Sequence, residues 1–534
     1  MTGSPPWTAP GISSRDKNSS GKWNGPVLIV ISLAFFLKLG PAFFLEFGND
    51  EVYYWTYSTH LQWNYFDHPP MVAFLIRLFT GNLLWQAEGF IRLGSLVCSA
   101  FSTWLIYKVT SNFDSGRAGF LAAVLFSASF YGFLIAGFMI MPDSAQVLFW
   151  CASLYFFQRL VLDPGRWDNW FLAGICTGLC VLSKVHALFL PGGLFLFALI
   201  YRQSCLRSWT FWSYLLIAAL FTVPIFWWNY QNDFVTFRFH GERVSVSHFE
   251  LNSLGFLREL LGEILYNNPI NVVLAVMAVA ASVSSTNRGE PFSSLLKCVA
   301  LPMICMLLML SLFRDTLPHW SGPAYITLIP LTAVYLNARF VARRALRIVL
   351  MPAVFAAAAF LGVVTVIELY PGTLGKQDTP NLGLGDVTLD LYGWRNAGSQ
   401  FARLRNSRQK LDSGLNPALI VASKWFPAAH EDFYFCRPGK LQLVGLGSLN
   451  DLHQYWWLNS HLKPRIDMAS AYCIVPSNLA SQVHLDDYYV YYSKIDSITR
   501  FSVFRNGRPS RYFTVYLLQG WHGRVPVWPP LYLP

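Results

Sequence analysis

The sequence predicts a mostly helical, polytopic membrane protein with a separate α/β domain at its C-terminal end. Three observations predict this. Only 13% of the 534 residues are charged and 54% are hydrophobic, against about 25% charged in soluble domains. Apolar runs of roughly 20 residues, long enough to cross a bilayer, recur from residue 26 to residue 370. Beyond residue 370 that pattern stops, and short β-type runs such as PALIVAS and KLQLVG take over. The formal net charge of +11 would suit a nucleic-acid binder, but the positions of Lys and Arg fit membrane topology instead.

Residues 1–25 are polar, with Pro, Gly and Ser, and read as a disordered cytoplasmic tail. The first apolar run, 26–46, is too long for a signal-peptide core and lacks a small-x-small cleavage site. It therefore stays in place as an anchor. The transmembrane domain, 26–370, is expected to hold about eleven spans. They are placed at 26–46, 89–108, 117–139, 144–161, 168–183, 187–201, 209–229, 263–284, 293–313, 320–337 and 345–369. The fifth and sixth are short enough to be tilted or re-entrant. Residues 51–61 and 71–80 read as helices lying at the membrane surface.

With the N-terminus inside, every inner connection is basic: Lys22, then Lys108 and Arg117, Arg159 and Arg166, Arg202 and Arg207, Arg288, and Arg339 to Arg347. Eleven is odd, so residues 371–534 form an extracytoplasmic domain. Its aromatic clusters HEDFYF and HQYWWLN suit either sugar stacking or a plain core. Its two cysteines, Cys436 and Cys473, are expected to form a disulfide, because that compartment is oxidising. The other seven cysteines lie in or beside apolar runs, where Cys is usually a small buried hydrophobe.

The outer connections carry a different set of residues: Asp50 and Glu51, Asp67 and His68, Asp143 in MIMPDS, and Lys184 and His186 in LSKVHA. Asn229 to His240 follow, and last come Arg314, Asp315 and His319 in FRDTLPHW. Acids and histidines gather on one face while plain Arg gathers on the other. An acid there can act as general base toward a hydroxyl, and Lys, Arg or His can neutralise a phosphate. That chemistry fits a polyprenyl-phosphate sugar whose tail stays in the bilayer. There is no GxxxxGK[ST] loop and no DxD pair to indicate a nucleotide donor, and GLGLG at 383–387 lacks the strand-turn-helix setting of a phosphate loop.

The bland alternatives stand beside these roles. Glu51 can bind sugar or cap its helix, and Asp67 with His68 can simply precede the helix that Pro69 and Pro70 begin. Asp143 can cap the fourth span. Lys184 can hold a phosphate or snorkel to the interface. His186, His240 and His319 are individually weak signals. No Cys/His spacing marks a metal site, and a divalent ion held by the acids and histidines has no strong pattern behind it.

These residues resemble the GT-C glycosyltransferases that use polyprenyl-phosphate sugars. That group includes protein O-mannosyltransferases, lipid A aminoarabinose transferases and rhizobial galacturonosyltransferases. The resemblance rests on Asp50-Glu51 with Tyr53 and Tyr54, DHPP at 67–70, Pro142-Asp143, GLCVLSKVHA around Lys184, and PHWSGPAY at 318–325, across roughly residues 26–330. It implies a GT-C fold with no required cofactor. It also implies Asp50 as catalytic base; with the reading of the outer face, Glu51 joins it and the expected donor site is drawn from Tyr54, Asp67, His68, Asp143, Lys184, His186, Arg314 and His319. The relatives' basic residue before Pro-Pro is a lysine in the aminoarabinose transferases. Here it is His68, which moves the phosphate role toward Lys184 or Arg314. The expected partners are a polyprenyl-phosphate-linked sugar, membrane lipid and an extracytoplasmic glycolipid or protein, without nucleic acid. The expected place is the periplasmic face of a bacterial inner membrane, with an endoplasmic reticulum lumen as the other option. The rival function is a transporter or flippase of lipid-linked sugars, which would need polar residues through the bilayer depth and at both faces.

Overall fold

A helix lies over each of the eleven apolar segments, yet not all of these helices are long enough to span a bilayer. A computed structural model describes residues 21–245, 250–284, 291–411, 417–462 and 468–523. Most of the expected disordered tail and the basic Arg288 connection lie outside the described residues. The chain divides into two units. One is Met1–Ala42 with Asp67–Phe360; the other is Phe43–Phe66 with Leu361–Pro534.

The helices of the first unit are α1 (Gly21–Phe44), which runs two residues past it, α3 (Met71–Phe79), α4 (Glu88–Phe113), α5 (Gly116–Ala128), α6 (Pro142–Leu162), α7 (Trp167–Val181), α8 (Phe189–Tyr201), α9 (Trp209–Leu220), α10 (Val223–Gln231) and α11 (Val235–Val244). They continue with α12 (Ser253–Tyr266), α13 (Pro269–Ser284), α14 (Pro291–Ser311), α15 (Gly322–Arg339) and α16 (Ala342–Leu369), whose end from Leu361 on belongs to the second unit; α2 (Asn49–Thr59), expected at the membrane surface, also belongs to the second unit, where its residues from Glu51 to Ser58 are buried. Among the described residues six helices or continuous helix pairs are long and apolar enough to cross a membrane: α1, α4, α6, α9 with α10, α14 and α16. A seventh arises if α12 and α13, bent by 96° at their junction, count as one. The eleven-span expectation is thus met only in part. The third expected span breaks after Ala128 into a π-turn at Tyr131–Ile135, and α7 and α8 are 15 and 13 residues long.

The bundle packs on bulky side chains from α6, α7, α9 and α14, with Trp150, Phe157, Trp170, Tyr214, Leu296 and Met303 buried in one cluster. Close approach needs small residues where helices touch. A Cβ on Gly193 of α8 would come within 2.6 Å of Val299 on α14. The outward faces are apolar: Leu33 and Phe36 of α1 are both 67% exposed, as suits a surface whose solvent is lipid.

The second unit holds a five-stranded sheet among its described residues, ordered β2-β1-β3-β5-β4. Its strands are β1 (Leu419–Ala422), β2 (Gln442–Gly445), β3 (Ser470–Pro476), β4 (Tyr492–Arg505) and β5 (Arg508–Trp521). β1 runs parallel to β2 and β3, while β5 pairs antiparallel with β3 and β4. The helix α17 (Trp394–Leu411) packs on one face, where Phe401 meets Tyr472 at 5.2 Å between ring centroids. The aromatic clusters are core: Phe433, Tyr434, Phe435, Tyr455 and Trp457 are all buried.

The expected disulfide is corrected by this sheet. Cys436 and Cys473 are both free and buried. Adjacent strand residues point to opposite faces. Tyr472 faces α17, so Cys473 points the other way, into a cluster with Val444 and Tyr488. Cys436 instead lies within the field of Arg405 on α17. The sheet stands between the two thiols.

Candidate active site

Asp143 sits in the first turn of α6, directly after Pro142, the position Pro favours because its missing N–H is not needed there. Lys184 follows the end of α7 on extended backbone, its own N–H tied to the carbonyl of Cys180 at 3.0 Å. The two side chains meet in the interior. Lys184 Nζ donates to both Asp143 oxygens, at 2.9 and 2.8 Å, and the residues are 3% and 1% exposed. Tyr131, on the π-turn, donates its hydroxyl to Asp143 Oδ1 at 2.8 Å. A buried ion pair is tolerable only with such geometry and further hydrogen bonds. The arrangement also depends on Gly322 in PHWSGPAY, because a Cβ there would lie 2.3 Å from the Tyr131 ring.

Histidines surround this pair. The Met71 N–H donates to the Leu182 carbonyl at 3.1 Å, which ties the DHPP turn to the Lys184 segment. His240 Nε2 donates to the Asp67 carbonyl at 2.8 Å, and its ring lies 6.2 Å from that of His68. His186 packs 5.3 Å from Trp320, the neighbour of His319. His68, His186 and His319 all feel the charges of Lys184 and Asp143. Burial pushes His68 down to about 3, against the pull of Asp67. Burial, with Lys184 adding to it, pushes His319 down to about 4. The imidazoles are therefore neutral at pH 7 and offer hydrogen bonds, while Lys184 supplies positive charge.

Of the residues expected at a donor site, the structure brings together Asp67, His68, Asp143, Lys184, His186 and His319. Arg314 is engaged elsewhere: its guanidinium donates to the carbonyls of Glu242 and Arg243 at the end of α11. Asp315 beside it pairs with Arg258 at 2.5 Å. Tyr131 was not legible as a site residue. Its partner Gly322 lies 191 positions away in sequence, and only the fold joins them. Among the described residues no three His, Cys, Asp or Glu side chains are grouped to hold a metal.

Asp50, Glu51 and Tyr54 belong to the second unit. Asp50 is exposed in the first turn of α2. Glu51 is 1% exposed and accepts the Gly48 N–H at 3.0 Å, so it caps its own helix. Tyr54 packs in an aromatic core against Tyr53 and Tyr57, at 5.7 and 5.5 Å.

Residues 67–228 match the family model described as dolichyl-phosphate-mannose-protein mannosyltransferase. The lipid A galacturonosyltransferase RgtD of Rhizobium johnstonii is 23% identical over 296 residues. That match covers 55% of this chain and 61% of the relative, so the chain spans under two thirds of that protein's length. ArnT from Cupriavidus metallidurans bound to undecaprenyl phosphate has a similar structure, with a TM-score of 0.61 at 14% identity over 92% of this chain and 98% of that one. Its apo state gives 0.60 at 13% identity over the same shares. The fold is thus the GT-C fold of ArnT. Residues 67–228, under a third of the chain, thus resemble the mannosyltransferase family, and the chain is a distant homologue of RgtD.

Proposed function

We propose that this protein is a multi-pass membrane glycosyltransferase that moves a sugar from a polyprenyl-phosphate donor to a hydroxyl on an envelope glycolipid or protein. The observation that carries this reading is the buried Lys184–Asp143 pair with its neutral histidines, lying largely within the segment matched to the mannosyltransferase family. A buried ammonium beside imidazole N–H groups suits a phosphate, and Asp143 serves as its counter-ion until the donor arrives. Asp50 is the base: it takes the acceptor proton as the new O–C1 bond forms. The C1–O bond to phosphate breaks, the polyprenyl phosphate leaves with the electron pair, and the single displacement inverts C1. Residues 371–534 and the site lie on the periplasmic side of a bacterial inner membrane, with the N-terminus inside and eleven spans, some of them short.

The test is mass spectrometry of envelope glycolipids and proteins from a deletion strain. A sugar increment lost on deletion should return with the wild-type chain. It should not return with Lys184→Gln. Loss of a general base typically lowers rate by about 10²–10⁴-fold, so Asp50→Asn should not restore it either. Full restoration by both variants would overturn the assigned roles. For topology, a reporter active only in the cytoplasm should be silent after residue 534 and active after residue 290; the reverse would put the site on the wrong side.

A further inference from the structure

The C-terminal sheet domain has no part in the chemistry so far, yet it grips the turn that carries the acid pair. Glu46, two residues before Gly48, is 8% exposed and accepts the backbone N–H groups of Trp394 and Arg395, at 2.6 and 3.2 Å. It thereby satisfies two free donors at the N-terminus of α17, where a carboxylate also meets the positive end of the helix dipole. Burial raises Glu46 to about 7, against Arg395 and Arg511.

Asn49, next to Asp50, is held from two sides. Its Oδ1 is an acceptor only, so His430 Nε2, at 3.0 Å, carries the proton and donates it. Its amide N–H donates to Asp390. His430 is fully buried and lies flat on Trp394, with ring centroids 4.1 Å apart and planes 7° apart. On Trp394 also rests the Arg511 guanidinium, 4.3 Å from the ring centre. Arg511 donates to the Tyr392 carbonyl at 2.5 Å and lies within the field of Glu46 and Asp390. Residues 390, 394, 430 and 511 thus converge on one turn of four residues.

We infer that His430 is a positioning residue: through Asn49 it fixes the first turn of α2 and hence the direction of the Asp50 carboxylate. The inference rests on the reading of Asp50 as base. A buried imidazole that donates one hydrogen bond and stacks on one indole has two separable roles. His430→Phe keeps the flat ring on Trp394 and removes the donor; Asn49→Ala removes the acceptor.

The experiment uses the full-length chain in deletion-strain membranes, where the endogenous lipid-linked donor supplies the sugar. Misplacing a reacting group by about 1 Å can cost about 10²-fold in rate. Each variant should therefore lower sugar incorporation by about ten- to a hundredfold and move the acid limb of the pH–rate profile. Each should also reduce hydrogen-exchange protection in the first turn of α2 while leaving the sheet protected. The double variant should be no worse than the worse single one, because both remove one interaction. His430→Gln, which retains an N–H, should recover part of the rate. Wild-type rates, an unmoved acid limb or unchanged exchange in both single variants overturn the inference while an inactive Asp50→Asn upholds the base. An active Asp50→Asn overturns the base itself, whatever His430 does.

Discussion

Lys184 and Asp143 meet through both carboxylate oxygens, from helix ends 41 positions apart in sequence, with almost no surface exposed. Removing one member of a buried pair costs about 3–5 kcal/mol, because the other charge is left without compensation. Asp143→Ala alone should therefore lower thermal stability sharply. Lys184→Met with Asp143→Leu should restore most of it without restoring transfer. Calorimetry of the purified variants separates the two effects; recovery of activity in the double variant would remove the pair from the chemistry.

Gly322→Ala should act at a distance from the ion pair. The added methyl must displace the Tyr131 ring, and overpacking of this kind costs about 1–3 kcal/mol. Tyr131→Phe removes the hydroxyl that donates to Asp143 without touching the packing. If transfer depends on that hydroxyl, both variants should lose turnover but only Gly322→Ala should lose stability as well. Assays of sugar incorporation beside melting curves check this.

The histidines make stability depend on pH in a definite direction. His68 and His319 fall from the ordinary value of 6.5 to about 3 and about 4 in the folded protein. Between those values and 6.5 the unfolded chain binds more protons than the folded one, so stability falls as pH falls. The contribution is fully present above about pH 6.5 and is lost on acidification toward pH 4, continuing toward 3 for His68. Melting temperatures from pH 8 to pH 4 should drop less steeply for His68→Asn with His319→Asn. Parallel curves would show that neither imidazole is buried neutral.

The two thiols of the second unit are predicted to behave independently. Reductant should leave the melting temperature unchanged, and alkylation after unfolding should label both Cys436 and Cys473 without prior reduction. A mass two units lower on the peptide pair would restore the cross-link.

Much of the fold was legible because apolar run length is a direct physical requirement of the bilayer. The count was not, since α5, α7 and α8 are apolar enough for hydropathy but fall short in length, and the break after Ala128 carries no Pro to announce it. The site was legible wherever charge is costly: Asp143 and Lys184 stand out in greasy surroundings and do meet. Arg314 looked equivalent, but its guanidinium goes to carbonyls at the end of α11, which no pattern in the chain foretells. The disulfide failed for another reason. Counting cysteines cannot show on which face of a strand each one falls.

Because Phe43–Phe66 folds with Leu361–Pro534, the acidic turn is made early and completed late. Some 295 residues, 66 to 361, must be synthesised between the two parts, which at about 5–20 residues per second takes roughly 15–60 s. Until the partner of Asn49 at position 430 has emerged, a nascent chain already anchored in the membrane carries its acids on a turn held only by its own Glu51 cap. The order of translation would then act as a safety catch: a chain cut short before the sheet would reach the membrane with its ion pair formed and its acidic turn unset.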